Sequence, residues 1–170
     1  MIIIALYRPE KPANTGNIMR TCMATNAKLV IIGPLSFSIT DESLKRAGMD
    51  YIKETDFEIF PDYESYKKAY GHLTTYYVTR YSNKIYSEIS YPDPSFDMVL
   101  MFGRESTGIP KEILKENPKF LIRIPMAINA RSLNLSNAVA ITLYEVLRQQ
   151  KYPKLATHET IKGEDFIFKD

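Results

Sequence analysis

One cysteine, two histidines and little net charge remove several chemistries from this 170-residue chain at the outset. Cys22 has no partner for an internal disulfide, and with His72 and His158 it makes too thin a set for a zinc site, so no metal is expected. No apolar run approaches the ~18 residues that a membrane span requires. Met1 leads directly into Ile2, Ile3 and Ile4, without a basic segment or a small-residue cleavage site, so no secretory signal is read and a cytoplasmic protein is expected. The charge of +2, from 22 basic and 20 acidic residues, is too small to draw nucleic acid by bulk field. Any RNA contact must then come from a local basic patch. No G-x-G-x-x-G fingerprint follows the first strand and no Walker A sequence occurs, which argues against a dinucleotide or nucleoside triphosphate bound in the usual way. A Ser–His–carboxylate triad is also a poor reading, because neither histidine falls in the loops described below.

What is present is the make-up of an ordinary folded domain: 45% hydrophobic and 25% charged residues. A chain of this length buries about 70% of the surface its unfolded form exposes, enough for one core without staples. Short apolar runs predict buried strands at 1–7, 29–32, 98–102 and 120–124, and β-branched and aromatic residues predict another at 74–79. Residues 57–60 are read as a strand or part of a loop. Helical spacing predicts helices over about 15–26, 63–70, 110–116 and 136–150, the last with Val139, Leu143, Val146 and Leu147 on one stripe. Thr40 is a good N-cap for a further helix carrying Leu44, Lys45, Arg46 and Ala47, which Gly48 can end. Residues 80–95 read as a long loop. Strands alternate with helices, and several strands lack in–out alternation. The expected fold is therefore α/β, a mainly parallel sheet with helices on both faces. The expected organisation is one domain over 1–150 and a weakly periodic tail over 151–170.

In open α/β sheets, ligands bind beyond the carboxyl ends of the strands. Three polar loops follow three of the predicted strands: Asn14-Thr-Gly-Asn-Ile-Met-Arg20, Phe102-Gly-Arg-Glu-Ser-Thr-Gly108, and Ile124-Pro-Met with Arg131-Ser-Leu-Asn-Leu-Ser-Asn137. Converging on one cleft, they would be rich in Asn, Ser, Arg and exposed glycine backbone, with one Glu. Such a site can hydrogen-bond a polar ligand and clamp a phosphate, but it holds no obvious nucleophile. That suits transfer of a group already activated by a cofactor.

In order and spacing these segments resemble the three motifs of the SPOUT class (SpoU type) of RNA methyltransferases, over about residues 2–150. The resemblance extends to the smallest branch, which methylates the ribose 2′-hydroxyl of the tRNA wobble nucleotide, cytidine or uridine 34; Arg46-Ala-Gly-Met-Asp-Tyr51 also fits it. Larger members usually carry an extra N-terminal RNA-binding segment that this chain lacks. The resemblance implies a C-terminal trefoil knot, bound S-adenosylmethionine as methyl donor, a homodimer, and the tRNA anticodon stem-loop as partner, with no DNA or membrane. It places cofactor contacts at Val78, Gly103, Ile124, Met126, Ser132 and Leu133. The catalytic set it implies is Asn14, Arg20, Glu105, Ser132 and Asn134. Two positions depart from the branch: Arg104 stands where proline usually precedes the glutamate, and Thr107 where a basic residue usually follows it.

The family assigns Arg20 the part of base. A guanidinium with a pKa above about 12 does not readily give up its proton, so the expectation here differs. Arg20 clamps the neighbouring phosphate bidentately and stabilises the developing alkoxide, while phosphate or water takes the proton. Ordinary structural roles stand beside each of these: Arg20 paired with Glu10 on a helix surface, Glu105 as a helix-capping acid, Ser132 and Asn134 as caps of the last helix. Lys45 and Arg46 read as a solvated face, Tyr76, Tyr77, Tyr81, Tyr86 and Tyr91 as strand-edge packing, and Cys22 and Met23 as core or dimer packing. The alternatives at the level of function are ribose methylation of ribosomal RNA and a non-catalytic RNA-binding protein of the same fold.

Overall fold

The apolar strands are apolar on both sides because both sides are covered. The computed structural model of the protein describes residues 1–39 and 56–169; the expected helix after Thr40 and the Arg46–Tyr51 segment lie outside the described residues. Strands β1 (Ile2–Tyr7), β2 (Lys28–Ile32), β3 (Phe57–Phe60), β4 (Thr74–Val78), β5 (Met98–Phe102) and β6 (Leu121–Ile122) form one sheet in the order β3-β2-β1-β5-β4-β6. Every pairing is parallel. Along β1, Ile2, Ile4 and Leu6 point into one core and Ile3, Ala5 and Tyr7 into another. Successive side chains of a strand alternate in direction, so a strand buried on both faces has no polar positions left to alternate with.

Helices α1 (Pro12–Thr25) and α4 (Leu135–Gln149) cover the first face, through Ile18, Met19 and Cys22 from α1 and Val139, Leu143, Val146 and Leu147 from α4. Helices α2 (Tyr63–Tyr70) and α3 (Lys111–Glu116) cover the second, through Tyr66, Ile113 and Leu114. Each fully buried Ile, Leu or Met contributes about 1.5–3 kcal/mol on leaving water, and β1 alone holds Ile3, Ile4 and Leu6 at 1% exposure or less. Tyr76, Tyr77 and Tyr91 are buried packing residues, Tyr76 meeting Tyr91 edge-on at 5.1 Å, whereas Tyr81 is exposed.

Most elements fall within one residue of their expected bounds, and two differ by more. Helix α1 begins at Pro12, three residues before the expected Thr15, because proline at the first turn carries the helical φ and has no N–H to leave unpaired. Strand β6 is limited to Leu121 and Ile122 within the expected 120–124, since Pro118–Phe120 form a 3₁₀ turn and Arg123 makes only an isolated bridge to Ile85. In the 80–95 segment a single 3₁₀ turn occurs at Tyr86–Glu88. In the tail, Leu155 packs against the first core, and beyond it a 3₁₀ turn at Phe166–Phe168 leaves Ile161, Ile167 and Phe168 exposed.

Candidate functional site

β1 and β5 are neighbours in register, Leu6 beside Phe102, so the loops that leave their carboxyl ends start side by side. They are tied together by two glutamates that each bond the other's loop. Glu105 accepts the backbone N–H groups of Glu10 (2.8 Å) and Lys11 (3.1 Å). Glu10 in return accepts the N–H (2.9 Å) and hydroxyl (2.7 Å) of Ser106. The Ser106 hydroxyl, its N–H and the nearby Arg104 and Lys11 charges hold the Glu10 carboxyl below its ordinary range. Glu105 thus supplies, from 94 residues away, the acceptor that the N-cap residue Lys11 lacks locally. Its negative charge also sits at the positive end of α1.

The same carboxylate accepts Asn14 Nδ2 at 3.0 Å, and Asn14 Oδ1 accepts Asn134 Nδ2 at 2.9 Å. Asn134 Oδ1 then caps α4, accepting from the N–H groups of Ser136 (2.9 Å) and Asn137 (3.4 Å) and from the Ser136 hydroxyl (2.6 Å). The polarity of this chain is forced: an ionised carboxylate only accepts and a backbone N–H only donates, so both amides have one workable orientation. The first polar segment, Asn14–Arg20, is therefore not a loop but part of α1, and it is joined to the second and third loops through three side chains, Asn14, Glu105 and Asn134.

Beside that chain opens a cleft of about 740 Å³, within the range of small-molecule sites. Its walls come from the ends of β4 (Val78), β5 (Phe102, Gly103) and the segment after β6 (Ile124, Met126), with Ser132, Leu133 and Asn134 opposite. The floor is main chain. A Cβ on Gly103 would stand 2.0 Å from the carbonyl carbon of Gly108 and 2.1 Å from the nitrogen of Ile109. The loop closes on itself through paired backbone bonds between Arg104 and Gly108 (3.2 and 3.0 Å), and Gly108 takes a left-handed φ of 73°, which glycine adopts without strain.

All six residues expected to touch a cofactor line this cleft, and so do Asn14, Glu105, Ser132 and Asn134. Arg20 does not. It lies exposed on α1, about 9 Å further along the helix axis than Asn14 at 1.5 Å per residue. Glu10, expected as a pairing partner for Arg20, spends its carboxylate on Ser106. Of the two unusual loop residues, Arg104 lies with its guanidinium over the Tyr7 ring, 5.9 Å from the centroid, and Thr107 is exposed. Residues not singled out in advance also face the cleft, Lys11, Thr79 and Arg80, together with Arg131 of the third loop and Tyr81, expected as strand-edge packing. Arg80 donates to the Arg131 carbonyl (3.3 Å), joining the β4 and α4 loops. Its position just after a strand's carboxyl end was the available signal. Cys22 is fully buried, and burial pushes its thiol up to about 12. Among the described residues no group of histidine, cysteine and acidic side chains can hold a metal, and no helix is long and apolar enough to cross a membrane.

Comparison with known proteins places the chain by sequence and by fold. A family model described as SpoU rRNA Methylase family matches residues 1–144. The Escherichia coli tRNA (cytidine(34)-2′-O)-methyltransferase is 42% identical over 154 residues, covering 90% of this chain and 96% of that protein. A solved structure reported under 2-OH methylation of C/U34 on tRNA superposes with a TM-score of 0.81 at 33% identity, covering 89% and 97% of the two chains. The AdoMet-bound ribosomal RNA methyltransferase of Sinorhizobium meliloti superposes with a TM-score of 0.78 at 28% identity, over 86% of this chain and 56% of that one.

Proposed function

Since this chain belongs to the SpoU rRNA methylase family, we propose that it methylates the ribose 2′-hydroxyl of nucleotide 34, cytidine or uridine, in the tRNA anticodon loop. The observation that carries this reading is the bonded chain Glu105–Asn14–Asn134, which brings all three polar segments to one cleft. S-adenosylmethionine, when bound there, supplies an activated sulfonium methyl group. The residues present fit such a ligand, because apolar Val78, Ile124 and Leu133 and polar Ser132 and Asn134 line one cleft whose loop packs so closely at Gly103 that no side chain fits there. Val78, Gly103, Ile124, Met126, Ser132 and Leu133 would hold it.

The ribose hydroxyl is a weak nucleophile, so the protein's task is to orient it and to stabilise the charge it develops. Ser132 and Asn134 stand at the cleft to orient ribose or the methionine end of the cofactor. Asn14 fixes the first segment to the other two. Arg20 clamps the adjoining phosphate and offers its fork of N–H donors to the developing alkoxide, the proton passing to phosphate or water. Correct placement of the reactants alone can lower the barrier by several kcal/mol. Because Arg20 stands outside the cleft of its own chain, we infer a homodimer in which one protomer's Arg20 serves its partner's cleft. We also propose the trefoil knot for the C-terminal part of residues 1–150, a methyltransferase domain that ends there and leaves 151–170 as a tail, and action in the cytoplasm, where tRNA is found.

The test is methylation of total tRNA and of ribosomal RNA by the purified protein with labelled S-adenosylmethionine, followed by nucleotide mapping. Label on the 2′-oxygen of tRNA nucleotide 34 is the expected result. Label confined to ribosomal RNA would overturn the substrate, and calorimetry without S-adenosylmethionine binding would overturn the enzyme reading altogether.

A further inference from the structure

Two guanidinium groups converge on one tyrosine ring at the rim of the cleft. Arg8 lies 5.3 Å and Arg104 5.9 Å from the centroid of Tyr7, both within the range of a cation–π contact. The two charges are therefore no further apart than those distances combined. The sheet explains the meeting: with Leu6 beside Phe102, the residue two places on from each, just past the end of its strand, is Arg8 after β1 and Arg104 after β5. Tyr7 is 7% exposed and belongs to the second core, so the ring is a fixed platform. Arg8 is held further by its Nε, which donates to the Gly33 carbonyl at 3.1 Å. Its backbone takes a φ of 47°, a left-handed conformation that costs a non-glycine residue energy.

Like charges gathered this closely repel unless something negative stands between them. Among the described residues no carboxylate forms an ion pair with either guanidinium. The acid whose charge bears on Arg104 is Glu10, which bonds Ser106 and not the guanidinium, so two positive charges face one nearby carboxylate. Arg104 also lines the cleft, which puts the pair beside the substrate nucleotide if the proposed function holds. Resting on that reading, we propose that Arg8 and Arg104 form a clamp for the sugar–phosphate backbone of the RNA, gripping one phosphate or two in succession next to the modified nucleotide. Tyr7 holds the guanidinium planes, and phosphate supplies the counter-charge that Glu10 alone does not complete, by bidentate bonds.

The test is binding of an anticodon stem-loop RNA by fluorescence anisotropy over a range of salt, for wild type, Arg8→Asn, Arg104→Gln and the double variant. Asparagine is chosen at position 8 because it tolerates a left-handed φ. Each lost phosphate contact should lower the slope of log K against log salt by about 0.7 and weaken binding roughly ten-fold or more. Arg8 does not line the cleft, so Arg8→Asn reads the clamp even if Arg104→Gln disturbs its loop. Wild-type binding with an unchanged slope and affinity in Arg8→Asn overturns the clamp alone. A wild-type protein that binds S-adenosylmethionine but no RNA overturns the clamp together with the reading on which it rests.

Discussion

Replacing Glu105 by glutamine separates a residue that builds the cleft from one that acts only in the reaction. In the native protein one carboxylate oxygen accepts both the Lys11 N–H and Asn14 Nδ2, and the other accepts the Glu10 N–H. A glutamine can put its carbonyl oxygen at the first position and keep two of those bonds. Its NH₂ group then faces the Glu10 N–H, donor against donor. The loss is one bond to a charged acceptor, about 1.5–3 kcal/mol, with a further 0.3–1 kcal/mol or so from removing an anion at the start of α1. Because Glu105 is partly exposed and water can replace some of this, the expected destabilisation is about 2 kcal/mol. For a domain of this size that lowers the unfolding midpoint by roughly 4–8 °C. Asn14, no longer held by a carboxylate, loosens its grip on Asn134, so affinity for S-adenosylmethionine should fall as well. Scanning calorimetry gives the first quantity and titration calorimetry the second. A variant that melts and binds cofactor like wild type while losing turnover would refute the architectural role and leave Glu105 as a participant in the chemistry alone.

Gly103→Ala should abolish measurable cofactor binding, since the added methyl meets backbone at 2.0 Å and the 104–108 loop must move; an affinity within two-fold of wild type by titration calorimetry would contradict the main-chain floor. Glu10 has its carboxyl lowered by the Ser106 bonds, so its contribution is complete above the ordinary glutamate range and disappears as pH falls through the lowered folded value. Glu10→Gln should therefore flatten the acid side of the melting-temperature profile, and parallel profiles for the two proteins would count against the clasp. Cys22, with its thiol pushed up to about 12 and no exposed surface, should resist iodoacetamide at pH 8 until the protein is unfolded; rapid labelling of the native protein by mass spectrometry would show that α1 opens.

Much of the fold was legible because its signals are local. Ile2–Tyr7 and Met98–Phe102 are apolar at every position, and in the structure both faces of both strands are covered. The stripe Val139, Leu143, Val146 and Leu147 predicts a buried face and has one. The errors fell where the deciding partner is distant. The start of α1 is set jointly by Pro12, which is local, and by Glu105, which is not. No window around Lys11 contains that carboxylate, so the polar run from Glu10 to Asn14 looks like loop. Strand β6 was overextended for a related reason: Phe120 and Ile124 continue the apolar pattern of Leu121 and Ile122, but a short edge pairing with β4 only reaches Tyr77 and Val78.

The candidate site divides along the same line. Nine of the positions expected from the motifs line one cleft, because each motif follows a strand and parallel strands deliver their carboxyl ends to one edge. Asn134 shows why two readings of one residue need not compete: its oxygen caps α4 while its nitrogen holds Asn14. Capping fixes the amide plane, and a fixed plane is what lets the nitrogen position a neighbour to within hydrogen-bond tolerance. The Glu10–Ser106 bond and the Arg8–Tyr7–Arg104 stack escaped notice because neither has a sequence spacing; each joins residues about 95 apart that meet only once β1 and β5 are in register. Arg20 is the reverse case, a motif residue that the single chain leaves outside the cleft. Helix α1 is anchored to the cleft at Asn14, and Arg20, six residues further along it, is exposed and does not line the cleft. Placed there, Arg20 can serve the chemistry only from a second copy, which is the ground for the proposed homodimer. An Arg20→Ala protein mixed with a cleft-disabled Gly103→Ala protein should then recover turnover that neither has alone, and no recovery would refute the proposal.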